Sequence, residues 1–173
     1  MLEKIDASLQ HHSQIVQQIS DELQNYIYMA ALLCYEAPLR ENRLFVIAEG
    51  NSTWIAAYMV SRLRTKLPSL PVRLYEVKED TFKRYSESLE EMDVVLALSV
   101  QNASEEMARF LETAKEREAK RVVLCTHANS ATFKNFDIKV DIPEEDPFRA
   151  GEFHLLVCNI IAGMIEDVVS EAS

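Results

Sequence analysis

Asp93-Val94-Val95-Leu96-Ala97-Leu98-Ser99-Val100-Gln101-Asn102-Ala103-Ser104 is the stretch that decides the fold. Val94 to Leu98 is a short apolar run with no polar alternation, so a strand there must be covered on both faces. Such strands belong to parallel sheets sandwiched by helices. A loop of small polar residues follows, and Glu105 to Ala119 then reads as a helix. Working outward, the pattern repeats. Leu44-Phe45-Val46-Ile47-Ala48 lies upstream, with Val72-Arg73-Leu74-Tyr75 between the two runs. Arg121-Val122-Val123-Leu124-Cys125 and Ile138-Lys139-Val140-Asp141-Ile142 lie downstream. Helical segments at Thr53–Lys66, Thr81–Glu91 and Glu105–Ala119 separate most of these strands, and a long apolar helix, Phe148–Val169, closes the chain. Strands alternating with helices predict βαβ units. The expected fold is α/β: a three-layer α/β/α sandwich whose five-stranded parallel sheet has the flavodoxin-like order 2-1-3-4-5.

Two helices precede the sheet. Leu2, Ile5, Leu9, Ile15, Ile19 and Leu23 recur at helical steps, and a second run, Asn25 to Glu36, is apolar on most faces, with Pro38 expected to end it. The helices of residues 1–37 form an N-terminal extension to an α/β core over 44–170, all within one domain of 173 residues. The terminal helices carry more apolar surface than one sheet face covers, which predicts a homo-oligomer, dimer or tetramer.

The composition narrows the function. Lys and Arg total 18 against 28 Asp and Glu, for a net charge of -10. So acidic a chain is ill suited to direct nucleic-acid binding or to anionic membranes. No uninterrupted apolar run reaches the length of a bilayer span, and Met1 to Asp6 lacks a signal peptide's basic head and apolar stretch. Cys34, Cys125 and Cys158 lie in apolar contexts without a CxxC pair, which predicts buried thiols in a reducing, cytoplasmic setting. Only three glycines occur, Gly50, Gly151 and Gly163. That excludes a GxGxxG fingerprint and a Walker A loop.

Open parallel sheets bind ligands beyond the carboxyl ends of strands where the strand order reverses. With order 2-1-3-4-5, the loops meeting there are Glu49-Gly50-Asn51-Ser52 and Ser99 to Ser104. Both lead into helices, with Ser52 and Ser104 expected as N-caps. Two helix N-termini facing one crevice suit an anion such as a phosphate. Neither loop contains Lys or Arg.

At these residues the chain resembles the SIS (sugar isomerase) domain family. Phe45 to Ser52 is similar to its apolar strand followed by G-x-G-x-S, and Asp93 to Ser104 to its D-V-x-L-x-I-S-x-S-G-x-S. Arg121 to Thr126 resembles the next strand with its terminal threonine. The helical amino-terminal segment and Arg149-Ala150-Gly151-Glu152-Phe153-His154, running on to Asn159, look like the phosphoheptose isomerase branch with its R-I-Q-E-x-H-x-x-x-x-H. That branch includes DiaA, a bacterial protein that binds the replication initiator DnaA, and Arg62 through Pro71 also resembles DiaA. The resemblance implies dimers or tetramers and a sugar-phosphate site made of Gly50, Asn51, Ser52, Ser99, Gln101, Asn102, Ser104 and Thr126.

Departures from the branch carry equal weight. The metal-binding and proton-transferring Gln and His of its last helix are Gly151 and Asn159 here, and Trp54 to Val60 holds neither the His nor the Glu of the helix after strand one. Glycine, amide and alkyl groups cannot act as a base. Ala48 and Asn102 add bulk where the family has glycine. No metal and no cofactor are expected. Four residues remain as candidate bases. Glu49, at the mouth of the first loop, would repel a phosphate unless it binds a sugar hydroxyl or acts as a base. His127 follows strand four, either as a ligand-facing side chain or as an exposed loop residue. Glu152 is a base only if it faces the crevice, and His154, on an apolar helix, reads as a core or interface histidine. His11 and His12 are adjacent and point apart, so they make no metal site. The acidic turn Glu144-Glu145-Asp146-Pro147 reads as a solvated loop. The expected function is sugar-phosphate or carbohydrate-derivative binding without the usual catalytic residues. The alternatives are an active aldose–ketose isomerase with a substituted base and a DiaA-like interaction scaffold.

Overall fold

The structure, a computed structural model, describes residues 1–76 and 85–171. Helix α1 (Leu2–Gln18) runs through one π-helical turn, Ile19–Leu23, directly into α2 (Gln24–Leu39). The two expected helices are therefore continuous. Ile15, Ile19, Leu23 and Ile27 are all buried and four residues apart. Steps of four run slightly past a 3.6-residue turn, and the wider π turn corrects the drift, so all four stay inward. Pro38 does not stop α2. It sits in the last turn, and the chain leaves the helix one residue later, where Glu41 adopts φ 64 and the Asn42 N–H reaches back to the Ala37 carbonyl at 2.9 Å.

Five strands follow: β1 (Leu44–Ala48), β2 (Val72–Glu76), β3 (Val94–Leu98), β4 (Lys120–Thr126) and β5 (Ile138–Ile142). All pairings are parallel and the order is β2-β1-β3-β4-β5, as expected. Helix α3 (Ser52–Lys66) joins β1 to β2, and α4 (Glu105–Glu116) joins β3 to β4. The last helix, α5 (Pro147–Glu171), follows β5. The helix expected at Thr81–Glu91 falls partly outside the described residues; Tyr85 and Ser86 are helical and the chain turns at Glu87 and Ser88. Helix α4 stops at Glu116, three residues early, because Glu118 takes a left-handed turn (φ 58) into β4.

Pleating divides the strands between two cores. Leu44, Val46, Leu96, Leu98, Val122 and Leu124 pack against α2, α3 and α5. Phe45, Ile47, Val95, Ala97 and Val123 pack against α4 and Leu89. By length and composition α5 could cross a bilayer, but its residues Phe153, Val157, Cys158, Ile161 and Ile165 lie in the first core. The three cysteines are buried free thiols, and burial pushes the Cys34 and Cys125 thiols up to about 12.

Candidate functional site

Strands β1 and β3 are neighbours, so the loops leaving their carboxyl ends meet. The contact is direct. The Val100 N–H donates to Ser52 Oγ at 3.2 Å, across 48 positions of sequence. Gly50 has φ +53, and a Cβ there would lie 2.9 Å from Gln101 Oε1, so the Gln101 side chain rests on the bare glycine backbone. Beside these loops lies a hollow of about 260 Å³, lined by Asn51, Trp54, Val100, Pro147, Phe148 and Gly151.

The second loop is held from β4. Asn129, almost wholly buried, accepts from Thr126 N–H at 2.8 Å and donates through Nδ2 to the carbonyls of Ser99 (3.1 Å) and Gln101. Thr132 Oγ1 accepts from Ala103 N–H at 3.1 Å. Sequence reasoning missed both residues; the only cue to Asn129 is an Asx-type residue three positions past a strand end.

Several expectations change here. Ser104 caps α4, accepting from Met107 N–H at 3.1 Å, as expected. Ser52 does not cap α3: Asn51 is the N-cap, without a side-chain bond, and Ser52 is the first helical residue. The hydroxyls of Ser52, Ser99 and Thr126 are expected to hold a phosphate, but all three residues are fully buried. Ser99 Oγ donates to the Gln101 carbonyl at 2.9 Å, and Thr126 Oγ1 is 3.2 Å from Asn129 Oδ1. These hydroxyls shape the loops from within. Gly50, Asn51, Gln101 and Asn102 are the exposed members of the set.

Glu49 turns inward across the loops. Its carboxylate oxygens lie 3.4 and 3.3 Å from the Ser104 N–H at the start of α4. The other candidate bases lie elsewhere. His127 is exposed and its Nδ1 is 3.1 Å from Asp141 Oδ1 on β5, the side of β4 away from β1. Glu152 is exposed and pairs with His12 Nδ1 at 3.3 Å. His154 is fully buried; its Nε2 is 3.3 Å from the Cys125 carbonyl, and burial pushes its pKa down to about 4.

The acidic turn is not a simple solvated loop. Glu144 is buried: Oε1 accepts from Glu145 and Asp146 N–H at 2.9 and 3.0 Å, and Oε2 lies 2.7 Å from His11 Nε2. Burial opposes its charge, but these donors outweigh it and hold its pKa below the ordinary value. His12 stacks on Phe153 at 4.6 Å. The adjacent histidines thus clamp α1 to the start of α5.

The positions that the resemblance marks for metal and proton transfer do not fit a metal. Gly151 has no donor side chain, and the Asn159 Oδ1 accepts from Arg62 at 2.8 Å. Arg62 also forms a two-pronged ion pair with Glu166, at 2.7 and 2.9 Å, tying α3 to α5. Among the described residues no three His, Cys, Asp or Glu side chains converge on a metal-sized space.

The SIS domain model matches residues 39–163, which contain both loops and every strand. The chain belongs to the SIS domain family. Within that family it is similar to the phosphoheptose isomerase of a Nitratiruptor species, 26% identical over 96% of this chain and 99% of the relative. It is also similar to the DnaA initiator-associating protein DiaA of Erwinia tasmaniensis, 25% identical over 98% of this chain and 97% of the relative. In fold it matches a phosphoheptose isomerase from Francisella tularensis, with a TM-score of 0.81 at 19% identity, over 96% of this chain and 98% of that one. The Vibrio vulnificus NanR protein, solved in complex with ManNAc-6P, contains the same fold, with a TM-score of 0.75 at 14% identity over 96% of this chain and 63% of that one.

Proposed function

We propose that this SIS-domain protein binds a sugar phosphate, or a related carbohydrate derivative, at the carboxyl ends of β1 and β3 and does not isomerise it. The observation that carries the reading is the junction of the two loops, where Val100 N–H donates to Ser52 Oγ at 3.2 Å beside a hollow of about 260 Å³. Asn51, Gln101 and Asn102 offer amide donors and acceptors for sugar hydroxyls, and the start of α4 offers N–H groups and a positive dipole end to the anion. Isomerisation needs a base that can move a proton beside a carbonyl. Gly151 supplies no such group, and Asn159 is engaged by Arg62. The name of the Nitratiruptor relative and the ManNAc-6P complex of NanR support the ligand class.

The test is a titration with sedoheptulose 7-phosphate, followed by thermal shift and by NMR of the sugar. A rise in Tm at saturating ligand without conversion of the sugar supports the reading. Turnover that is lost on replacing Glu49, His127, Glu152 or His154 overturns it in favour of an isomerase with a substituted base. No binding at any concentration favours an interaction scaffold, a reading supported by the similarity to DiaA along nearly the whole chain.

We further propose that the protein is a homo-oligomer built on its terminal helices. Leu2, Ile5, Leu9 and Val16 form an exposed apolar stripe on α1, and Tyr28 on α2 and Ile160 on α5 are also exposed. A stripe of this kind marks an association surface. Sedimentation at micromolar concentration should give a dimer or tetramer mass, and a monomer refutes it.

A further inference from the structure

We infer that Glu49 is a built-in occupant of the anion position of this site, so that a phosphorylated ligand must displace its carboxylate to bind. The inference rests on the sugar-phosphate reading above and specifies what controls that site.

Three observations carry it. First, both Glu49 oxygens point at one backbone donor, Ser104 N–H, at 3.4 and 3.3 Å. That N–H belongs to the N-cap residue of α4, where the helix dipole favours negative charge. A side-chain carboxylate and a phosphate oxygen ask the same thing of this position. Second, the contact is long for a charge-assisted hydrogen bond, which ordinarily closes to about 2.7–2.9 Å. A carboxylate held by long contacts to one N–H gives way at small cost. Third, the two loops themselves provide no cation. Neither loop contains Lys or Arg. The Glu49 carboxylate is bonded to an amide and to no guanidinium or ammonium among the described residues. A phosphate arriving while Glu49 stays in place would meet like charge with no basic residue in either loop to offset it.

The position of Glu49 in the chain explains how it can leave. It follows the last residue of β1 and precedes Gly50, whose left-handed φ of +53 marks the turn into α3. The backbone is fixed on both sides, since Ser52 N–H donates to the Glu49 carbonyl at 3.1 Å and Thr53 N–H to the Gly50 carbonyl at 3.2 Å. Only the side chain needs to rotate. Its release frees the Ser104 N–H without disturbing the Ser104 Oγ bond to Met107 N–H that caps α4.

The experiment is calorimetric titration of sedoheptulose 7-phosphate and, separately, inorganic phosphate into the full chain, Glu49→Gln and Glu49→Ala. Glu49→Gln keeps the size and removes the charge, and Glu49→Ala empties the position. Thermal melts establish that both variants fold. The expected result is that both variants bind the sugar phosphate at least about tenfold more tightly than the unaltered protein, with the same trend for inorganic phosphate. Equal or weaker binding by both variants overturns the inference while leaving the sugar-phosphate reading intact. An absence of binding by all three proteins overturns both. Tightening in Glu49→Ala alone also overturns it, because steric blockage and not charge is then the obstacle.

Discussion

The two ends of the sheet treat a carboxylate differently. At the amino end Asp93 is fully buried just before β3. It accepts from Arg43 N–H at 2.8 Å and from Glu90 N–H at 2.9 Å, and its Oδ2 is 2.6 Å from Arg43 Nη2. That guanidinium also donates to the Ser88 carbonyl at 2.6 Å and lies over the Phe45 ring at 5.2 Å. At the carboxyl end Glu49 is half-buried, with long contacts to one backbone amide. The first arrangement joins β1 to β3 permanently, because removing one partner leaves the other's charge uncompensated away from water. The second leaves a charge that can move. Of this pair, the loosely held carboxylate is the one at the carboxyl end, where ligands of α/β sheets enter.

The sharpest way to break this comparison is Asp93→Ala. It should destabilise the protein by about 3–5 kcal/mol, since two backbone N–H groups lose their acceptor and half-buried Arg43 is left with only the exposed Glu90 carboxylate, at 3.4 Å, to balance its charge. Denaturant unfolding checks the value, and a loss below about 1 kcal/mol means that the amino end is not locked. The next effect comes from His154. Its pKa falls from an ordinary 6.5 to about 4 on folding, so the unfolded chain binds a proton that the folded chain refuses. Its stability contribution is intact above pH 6.5 and fades as the pH falls toward 4, by roughly 3 kcal/mol in all. A His154→Leu variant should show a flatter pH profile across that window. Ser104→Ala removes the cap of α4 and should cost about 1 kcal/mol, with Tm falling accordingly. The smallest effect is expected for Glu49→Gln, within about 0.5 kcal/mol of the unaltered protein in the same unfolding assay. A cost like that of Asp93→Ala would erase the distinction between the two ends.

The elements themselves are largely legible in the sequence. Val94 to Leu98 is apolar throughout because both faces of β3 are covered, and that requirement acts residue by residue. The alternation of such runs with helical segments predicts the parallel sheet, and the sheet predicts which loops meet. The helix ends are less legible. Glu41 and Glu118 occupy left-handed turns that glycine usually takes, so the ordinary stop signal is missing. The π turn at Ile19–Leu23 leaves its trace only as a four-residue apolar step.

The individual roles of the site residues are not legible, and the reason is geometric. Ser52 reads as a cap and is instead the acceptor for Val100 N–H. Asp93 reads as a motif residue and anchors Arg43. Asn159 marks a missing histidine and serves as an acceptor for Arg62, 97 positions away. Glu49 is only a charge at a loop mouth until Ser104 is placed beside it. What the chain determined by itself was the sheet, its covering helices and the pair of loops at its carboxyl edge, because burial period and turn chemistry are local properties. What only the tertiary structure decided was which polar group meets which, because hydrogen bonds between loops some fifty residues apart depend on strand pairing and leave no periodic mark in the sequence.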